Sequence, residues 1–299
     1  MTLRTGPSPF GTVLTAMVTP MLADGEVDYP GAQQLAEYLV DSGNDGLIVS
    51  GTTGEAPTTS DDEKDRLLRV VIEAVGDRAA IVAGVGTNNT AHSVKLADEA
   101  QRAGADGLLA VTPYYNKPPQ SGVERHFRAI ADTTDLPLVL YDIPGRTGTP
   151  IEWQTLVSLG DHRNIIGVKD AKGDLESVVE VMSRTDLLWY SGDDGLNLPF
   201  LSIGAVGFIS VIGHVVAARL AQLAAAYTAG EVVTARLINE GLQPVATGMF
   251  RAPGATMAKA ALNVLGLPAG PMRLPMVDAT PEQIDRLRID LAAGGVEGF

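Results

Sequence analysis

Lys169 closes a short apolar run, Ile165-Ile166-Gly167-Val168-Lys169-Asp170, so a primary amine stands where a buried strand would stop. Burying an ammonium is costly unless it is paired or gives up its proton. An uncharged amine is a nucleophile: added to a 2-oxo acid it forms an iminium, whose nitrogen draws electrons and makes the neighbouring methyl group acidic. Taken alone, Lys169 next to Asp170 and Lys172 reads more readily as a solvated residue closing its strand, and only the company it keeps overturns that. Iminium chemistry also needs proton transfers, which a positioned phenol can carry out, and Tyr141 ends the preceding apolar run. Other polar groups sit at equivalent places. Ser50-Gly51-Thr52-Thr53-Gly54-Glu55, Thr112-Pro113-Tyr114-Tyr115-Asn116 and Tyr141-Asp142-Ile143-Pro144-Gly145-Arg146 each follow an apolar run. The Thr53 hydroxyl and the N–H groups of its glycine-flanked turn can hold a carboxylate, or Thr53 can be a turn residue only. Arg146, in a loop stiffened by Gly and Pro, can grip a carboxylate bidentately, or stand as a surface arginine without a partner.

These residues share a site only if the elements carrying them converge. Apolar runs recur at 12–19, 46–49, 80–85, 107–111, 138–141, 165–168, 187–190 and 206–211. Rich in Val, Ile and Leu rather than alternating, they suit strands covered on both faces, and the gaps are long enough for crossover helices. Helix signals fit the gaps: Asp28 before 29–40, a Ser60/Glu63 capping box before 64–75, Thr90 before 91–103, and Ser121 with Glu124 before 125–131. Glycines at 43, 76 and 104 mark helix ends. Eight consecutive strand–helix units favour an α/β fold of the (β/α)8 TIM barrel type, whose carboxyl strand ends converge on one mouth. The barrel is expected over residues 1–227. Residues 228–299 read as an appended C-terminal helical segment, with helices near 232–248, 254–265 and 281–291 that pack on the barrel or on another subunit.

In order and spacing, the Gly-Thr-Thr-Gly-Glu, Tyr-Tyr, Tyr-Asp-Ile-Pro-Gly-Arg and Gly-Val-Lys-Asp segments resemble the pyruvate-dependent class I aldolase superfamily, and are most similar to its dihydrodipicolinate synthase branch. The likeness spans almost the whole chain. It implies a lyase in which Lys169 forms the Schiff base with pyruvate and Tyr141 moves protons. Thr52 would link Tyr141 to Tyr115, contributed across a subunit interface. Thr53 would bind pyruvate, Arg146 the carboxylate of L-aspartate 4-semialdehyde, and Gly192 and the Ile209 carbonyl would lie near the site. The resemblance further implies a cytoplasmic homotetramer of two tight dimers serving lysine and diaminopimelate biosynthesis. The alternative within the superfamily is N-acetylneuraminate lyase or a 2-keto-3-deoxy sugar acid aldolase, sharing Lys169 and Tyr141; Arg146 and the Thr52-Thr53 pair argue against it. A noncatalytic ligand-binding barrel is disfavoured because Lys169, Tyr141, Thr52 and Tyr115 are all present.

Composition narrows the rest. The 299-residue chain carries a net charge of −14 with no basic block, which disfavours nucleic acid and anionic membranes as partners. No run approaches a membrane span, and Met1–Phe10 lacks the apolar core of a leader. Without cysteine there is no disulfide, thiolate nucleophile or thiolate metal site. The four histidines are scattered, His214 reads as structural, and no metal or other cofactor is expected. Asp193-Asp194 after the seventh run could suggest Mg2+, yet two carboxylates there also disfavour a phosphate site. Resemblance would place a lysine-inhibition site around Ala56, Pro57, Asp61, Lys64, Asn88, His92 and Tyr114. His92 stands there in place of an acidic residue and Lys64 adds positive charge, so inhibition by lysine is expected to be weak or absent.

Overall fold

The computed structural model describes residues 8–299; residues 1–7, most of the stretch read above for a leader, lie outside the described residues. Strands and helices alternate: β1 (Val13–Ala16), α1 (Tyr29–Asp41), β2 (Gly46–Val49), α2 (Asp61–Val75), β3 (Ala80–Gly84), α3 (Thr90–Ala103), β4 (Gly107–Val111) and α4 (Gln120–Ala131). Then come β5 (Leu138–Asp142), α5 (Pro144–Thr147), α6 (Trp153–Leu159), β6 (Ile165–Asp170), α7 (Leu175–Met182), β7 (Leu188–Ser191), α8 (Asn197–Ser202), β8 (Gly207–Ser210) and α9 (Gly213–Thr228). Three more helices follow, α10 (Val232–Met249), α11 (Gly254–Val264) and α12 (Pro281–Ala293). The eight parallel strands close into a barrel in chain order, β8 pairing back onto β1.

Two apolar layers hold it. Inside the barrel, Leu14, Ile48, Val82, Leu109, Val139, Tyr141, Tyr190 and Ile209 pack on one another. A larger layer between strands and helices takes the alternate residues, such as Leu47, Leu108, Leu140, Val168 and Trp189. This is why the strands read as continuous apolar runs: both faces are buried. Phe10 plugs the amino end of the barrel, so close that a Cβ on Gly107 would lie 2.3 Å from its ring. The Tyr190 hydroxyl points the same way and hydrogen-bonds the Ser8 hydroxyl.

Local signals hold in part. Asp28 caps α1 by accepting from the Gly31 N–H, and Ser60 and Glu63 form both halves of the capping box on α2. At α3 the cap is Asn89 rather than Thr90, since the Asn89 side-chain Oδ1 accepts from the Ala91 and His92 N–H groups. Ser121 does not cap α4, which starts after Pro119; Glu124 instead accepts from the Ser158 hydroxyl and pairs with Arg128. The apolar run at 12–19 yields only four strand residues, whereas β6 runs on through Lys169 and Asp170. Helix α10 packs along α9 and α12, and α11 touches both α9 and α10. Among the described residues no helix is long and apolar enough to cross a membrane.

Candidate active site

Strand register decides which side chains face inward. Tyr141 on β5 lies directly beside Lys169 on β6, and Lys169 beside Tyr190 on β7. Paired residues in a parallel sheet point to the same face, so the amine and both phenols enter the barrel interior. Their neighbours Asp142 and Asp170 point to the other face. There Asp170 accepts from the Lys172 and Gly173 N–H groups and from the Trp189 indole, and Asp142 accepts from the Ile151 N–H. Burial pushes the Asp142 carboxyl up to about 7, against the smaller opposing effects of the Ile151 N–H and Lys172.

Lys169 is 5% exposed, and its Nζ lies 4.2 Å from the centre of the Tyr141 ring. Among the described residues no carboxylate forms an ion pair with it. Burial lowers its pKa to about 8; Asp194 opposes this, and the Arg146 charge adds to it. Burial also raises the Tyr141 phenol to about 12, with the Arg146 charge and a Thr52 hydrogen bond acting against the rise. The amine's space depends on Gly192. A Cβ there would meet Lys169 Cγ at 2.9 Å and Cε at 3.1 Å, while the Gly192 N–H is held 2.7 Å from the Asp170 carbonyl oxygen.

Above Tyr141 opens a cavity of about 1020 Å³ whose wall includes Thr52, Tyr115, Tyr141 and Arg146. Lys169 is not part of that wall, but its amine packs on the Tyr141 ring, which is. The residues named from sequence therefore gather at one mouth: Thr52 and Thr53 after β2, Tyr115 after β4, Tyr141 at the end of β5, Arg146 on α5, Lys169 near the end of β6, Gly192 after β7 and Ile209 on β8. Thr112 fixes the end of β5, its N–H and hydroxyl both donating to the Tyr141 carbonyl oxygen at 3.0 and 3.2 Å. In α5, the Arg146 N–H donates to the Ile143 carbonyl oxygen, leaving the guanidinium exposed at the cavity with no carboxylate partner among the described residues.

Backbone geometry at the β2 loop is unusual: Ser50 and Glu55, both non-glycine, bracket it in the left-handed region at φ 58° and 57°. Such residues persist where surroundings over-determine them, often at functional sites. The N–H groups of Thr52 and Thr53 donate to no acceptor among the described residues, and Thr53 is itself buried. Tyr115 has φ 74° and is 89% exposed, without a hydrogen bond to Thr52.

Two groups weighed from sequence are structural. His214 Nε2 accepts from the Val18 N–H and its Nδ1–H donates to the Val211 carbonyl oxygen. Asp194 accepts from the Ser210 hydroxyl and the Val211 and Ile212 N–H groups, fixing the loop after β8. One cluster was missed. Lys259 in α11 is buried against Glu55 of the β2 loop, 2.6 Å between charged atoms. A lone Lys between Ala258 and Ala260 in an apolar helix was the available signal.

A model of the dihydrodipicolinate synthetase family matches residues 9–293. The chain is 61% identical to 4-hydroxy-tetrahydrodipicolinate synthase 2 of Streptomyces coelicolor, covering 98% of each, and 59% identical to 4-hydroxy-tetrahydrodipicolinate synthase of Acidothermus cellulolyticus, covering 100% of this chain and 97% of that one. Among solved structures it is similar to dihydrodipicolinate synthase of Bacillus anthracis (41% identity, TM-score 0.92, 95% of this chain and 98% of that one). It is likewise similar to the lysine-bound enzyme of Cyanidioschyzon merolae (40% identity, TM-score 0.94, 96% and 99%). These relatives are synthases, which supports that reading over the sugar-acid lyase alternative. From residue 9 to residue 293, the chain belongs to the dihydrodipicolinate synthetase family of lyases.

Proposed function

We propose that the chain condenses pyruvate with L-aspartate 4-semialdehyde to 4-hydroxy-tetrahydrodipicolinate, with Lys169 as the covalent residue. The observation that carries this reading is a buried amine with no ion-pair partner among the described residues, its pKa lowered to about 8, against the ring of a buried tyrosine. Near neutral pH a usable fraction of that amine is uncharged. It adds to the keto carbon of pyruvate, and loss of water from the carbinolamine leaves an iminium. Removal of a methyl proton gives an enamine, which attacks the aldehyde carbon of the second substrate. That substrate's amine then adds to the iminium carbon and expels Lys169.

Each remaining residue has a place in this sequence. Tyr141 delivers and takes protons, and Thr52 passes them on toward Tyr115. The free N–H groups of Thr52 and Thr53, with the Thr53 hydroxyl, receive the pyruvate carboxylate. Gly192 keeps room for the lysine side chain, and the Ile209 carbonyl is assigned to the same end of the barrel through its place on β8. Arg146, exposed at the cavity, pairs with the carboxylate of the aldehyde substrate. Tyr115, 89% exposed in the single chain, supports completion of the site by a second subunit in a cytoplasmic homotetramer. On the cavity wall, the Lys64 ammonium and His92, itself held on Asp61, favour weak or absent inhibition by lysine.

Borohydride reduction in the presence of pyruvate, followed by peptide mass mapping, tests the core of this reading. The reduced adduct is expected on Lys169, and its absence there sinks the proposal. Turnover with aspartate semialdehyde but not with N-acetylmannosamine is the expected substrate pattern.

A further inference from the structure

The loop bearing Thr52 and Thr53 is not held by the barrel alone. Its last residue, Glu55, is 4% exposed, has a left-handed backbone and sends its carboxylate away from the cavity. One oxygen meets Lys259 Nζ at 2.6 Å, and the other accepts the Arg273 N–H at 2.8 Å. Both partners belong to the segment after the barrel. Lys259 also donates to the Pro271 carbonyl oxygen at 2.7 Å, which ties α11 to the stretch that follows it. That stretch runs as a strap against the β1 and β2 loops. The Arg273 guanidinium donates to the Gly25 and Thr58 carbonyl oxygens and pairs with Glu63, so the same strap grips the β1 and β2 loops together.

We propose that this clamp positions the substrate-binding pair: Lys259, Glu55 and Arg273 are positioning residues through which the segment 228–299 fixes the Thr52 and Thr53 N–H groups for the pyruvate carboxylate. A left-handed non-glycine residue and a buried carboxylate are each unfavourable by themselves, and together they persist only because the partners from α11 and the strap over-determine them. All three side chains are spent on one another, on Glu63 or on the Gly25, Thr58 and Pro271 carbonyl oxygens, which makes them positioning residues. The inference rests on the reading that this loop binds pyruvate.

Lys259→Met, Glu55→Gln/Lys259→Met and Arg273→Ala test it in the full-length protein. Removing one charge of a buried pair leaves the other orphaned, whereas the doubly neutral variant does not, so the double variant is expected to melt above Lys259→Met. In the double variant the pyruvate KM is expected to rise at least tenfold and the rate of reduced-adduct formation at Lys169 to fall at least tenfold. The KM for aspartate semialdehyde, governed by Arg146 on another loop, should stay within threefold. Arg273→Ala, which leaves the Glu55–Lys259 pair in place, should shift the pyruvate KM the same way by a smaller factor, and it decides the matter if the Lys259 variants fail to fold. Variants that melt early yet keep pyruvate KM and adduct rate within twofold of wild type would overturn the clamp as a positioning device. If wild-type protein takes no label at Lys169, the proposed chemistry fails instead, whatever the variants do.

Discussion

Lys169 and Lys259 are both buried, at 5% and 1% exposure, and their surroundings give them opposite uses. Lys259 has a carboxylate at 2.6 Å and a carbonyl oxygen at 2.7 Å, so its charge is matched and it holds two parts of the chain together. Lys169 has a phenol ring at 4.2 Å, and its nearest influential carboxylate, Asp194, is spent on the Ser210, Val211 and Ile212 donors. Burial lowers the pKa of both amines. Under the proposed chemistry, withholding a partner keeps Lys169 reactive; supplying one turns Lys259 into a fastener. Sequence separation does not distinguish them, since each stands in an apolar context.

The comparison breaks most sharply at Lys169. Lys169→Met should lose at least about 10,000-fold in turnover, as removal of a covalent residue does. The same variant should be more stable at pH 7. A lysine whose folded pKa is lowered to about 8 from 10.5 costs stability in full below pH 8, and the cost fades as pH rises toward 10.5. The gain is on the order of 3 kcal/mol at neutral pH, readable as a rise of several degrees in melting temperature that vanishes by pH 10.5. A melting temperature lowered at pH 7 would show that Lys169 is fastened in the manner of Lys259.

Tyr141→Phe keeps the ring against the amine and removes only the hydroxyl, so a loss of roughly 100- to 1,000-fold in kcat is expected. Adduct trapping at Lys169 should slow while the melting temperature stays near wild type. An unchanged kcat would move the proton transfers to another group.

Asp142 sharpens the contrast from the outer face of the sheet. Its folded pKa of about 7 exceeds the ordinary 3.8, so the native state holds that proton more tightly. Its contribution is fully present below pH 3.8 and is lost as pH rises through 7. Asp142→Asn should therefore stabilise the fold by up to a few kcal/mol at pH 8.5 and by much less at pH 5, measured by denaturant unfolding at both. Equal effects at the two pH values would contradict a protonated Asp142.

The smallest effect belongs to Arg251 and Asp290, a tie within the C-terminal segment whose Arg251 end is exposed. Asp290→Asn should move the melting temperature by no more than about 2 °C and leave both KM values unchanged.

Much of this was legible in the residues. Parallel strands covered on both faces leave continuous apolar runs, and the runs at 46–49 and 107–111 coincide with β2 and β4. Lys169 and Tyr141 stood out because a polar residue at the end of such a run is exceptional. The misplaced caps share one cause. Asn89 and Thr90 are both good caps by type, and only the backbone path chooses between them. Glu124 was drawn off by Ser158 and Arg128 from its expected reciprocal bond, one of those partners being distant in sequence. The Glu55–Lys259 pair was hidden for the same reason: its members come from the second strand loop and from a helix beyond the barrel, and no local pattern joins them.

The Phe10 plug carries a consequence for traffic. With an aromatic ring filling the amino end and the cavity opening beside Tyr141 at the carboxyl end, reactants are expected to come and go from the carboxyl end. A product that lingers there occupies the space the next reactants need, and should show as product inhibition.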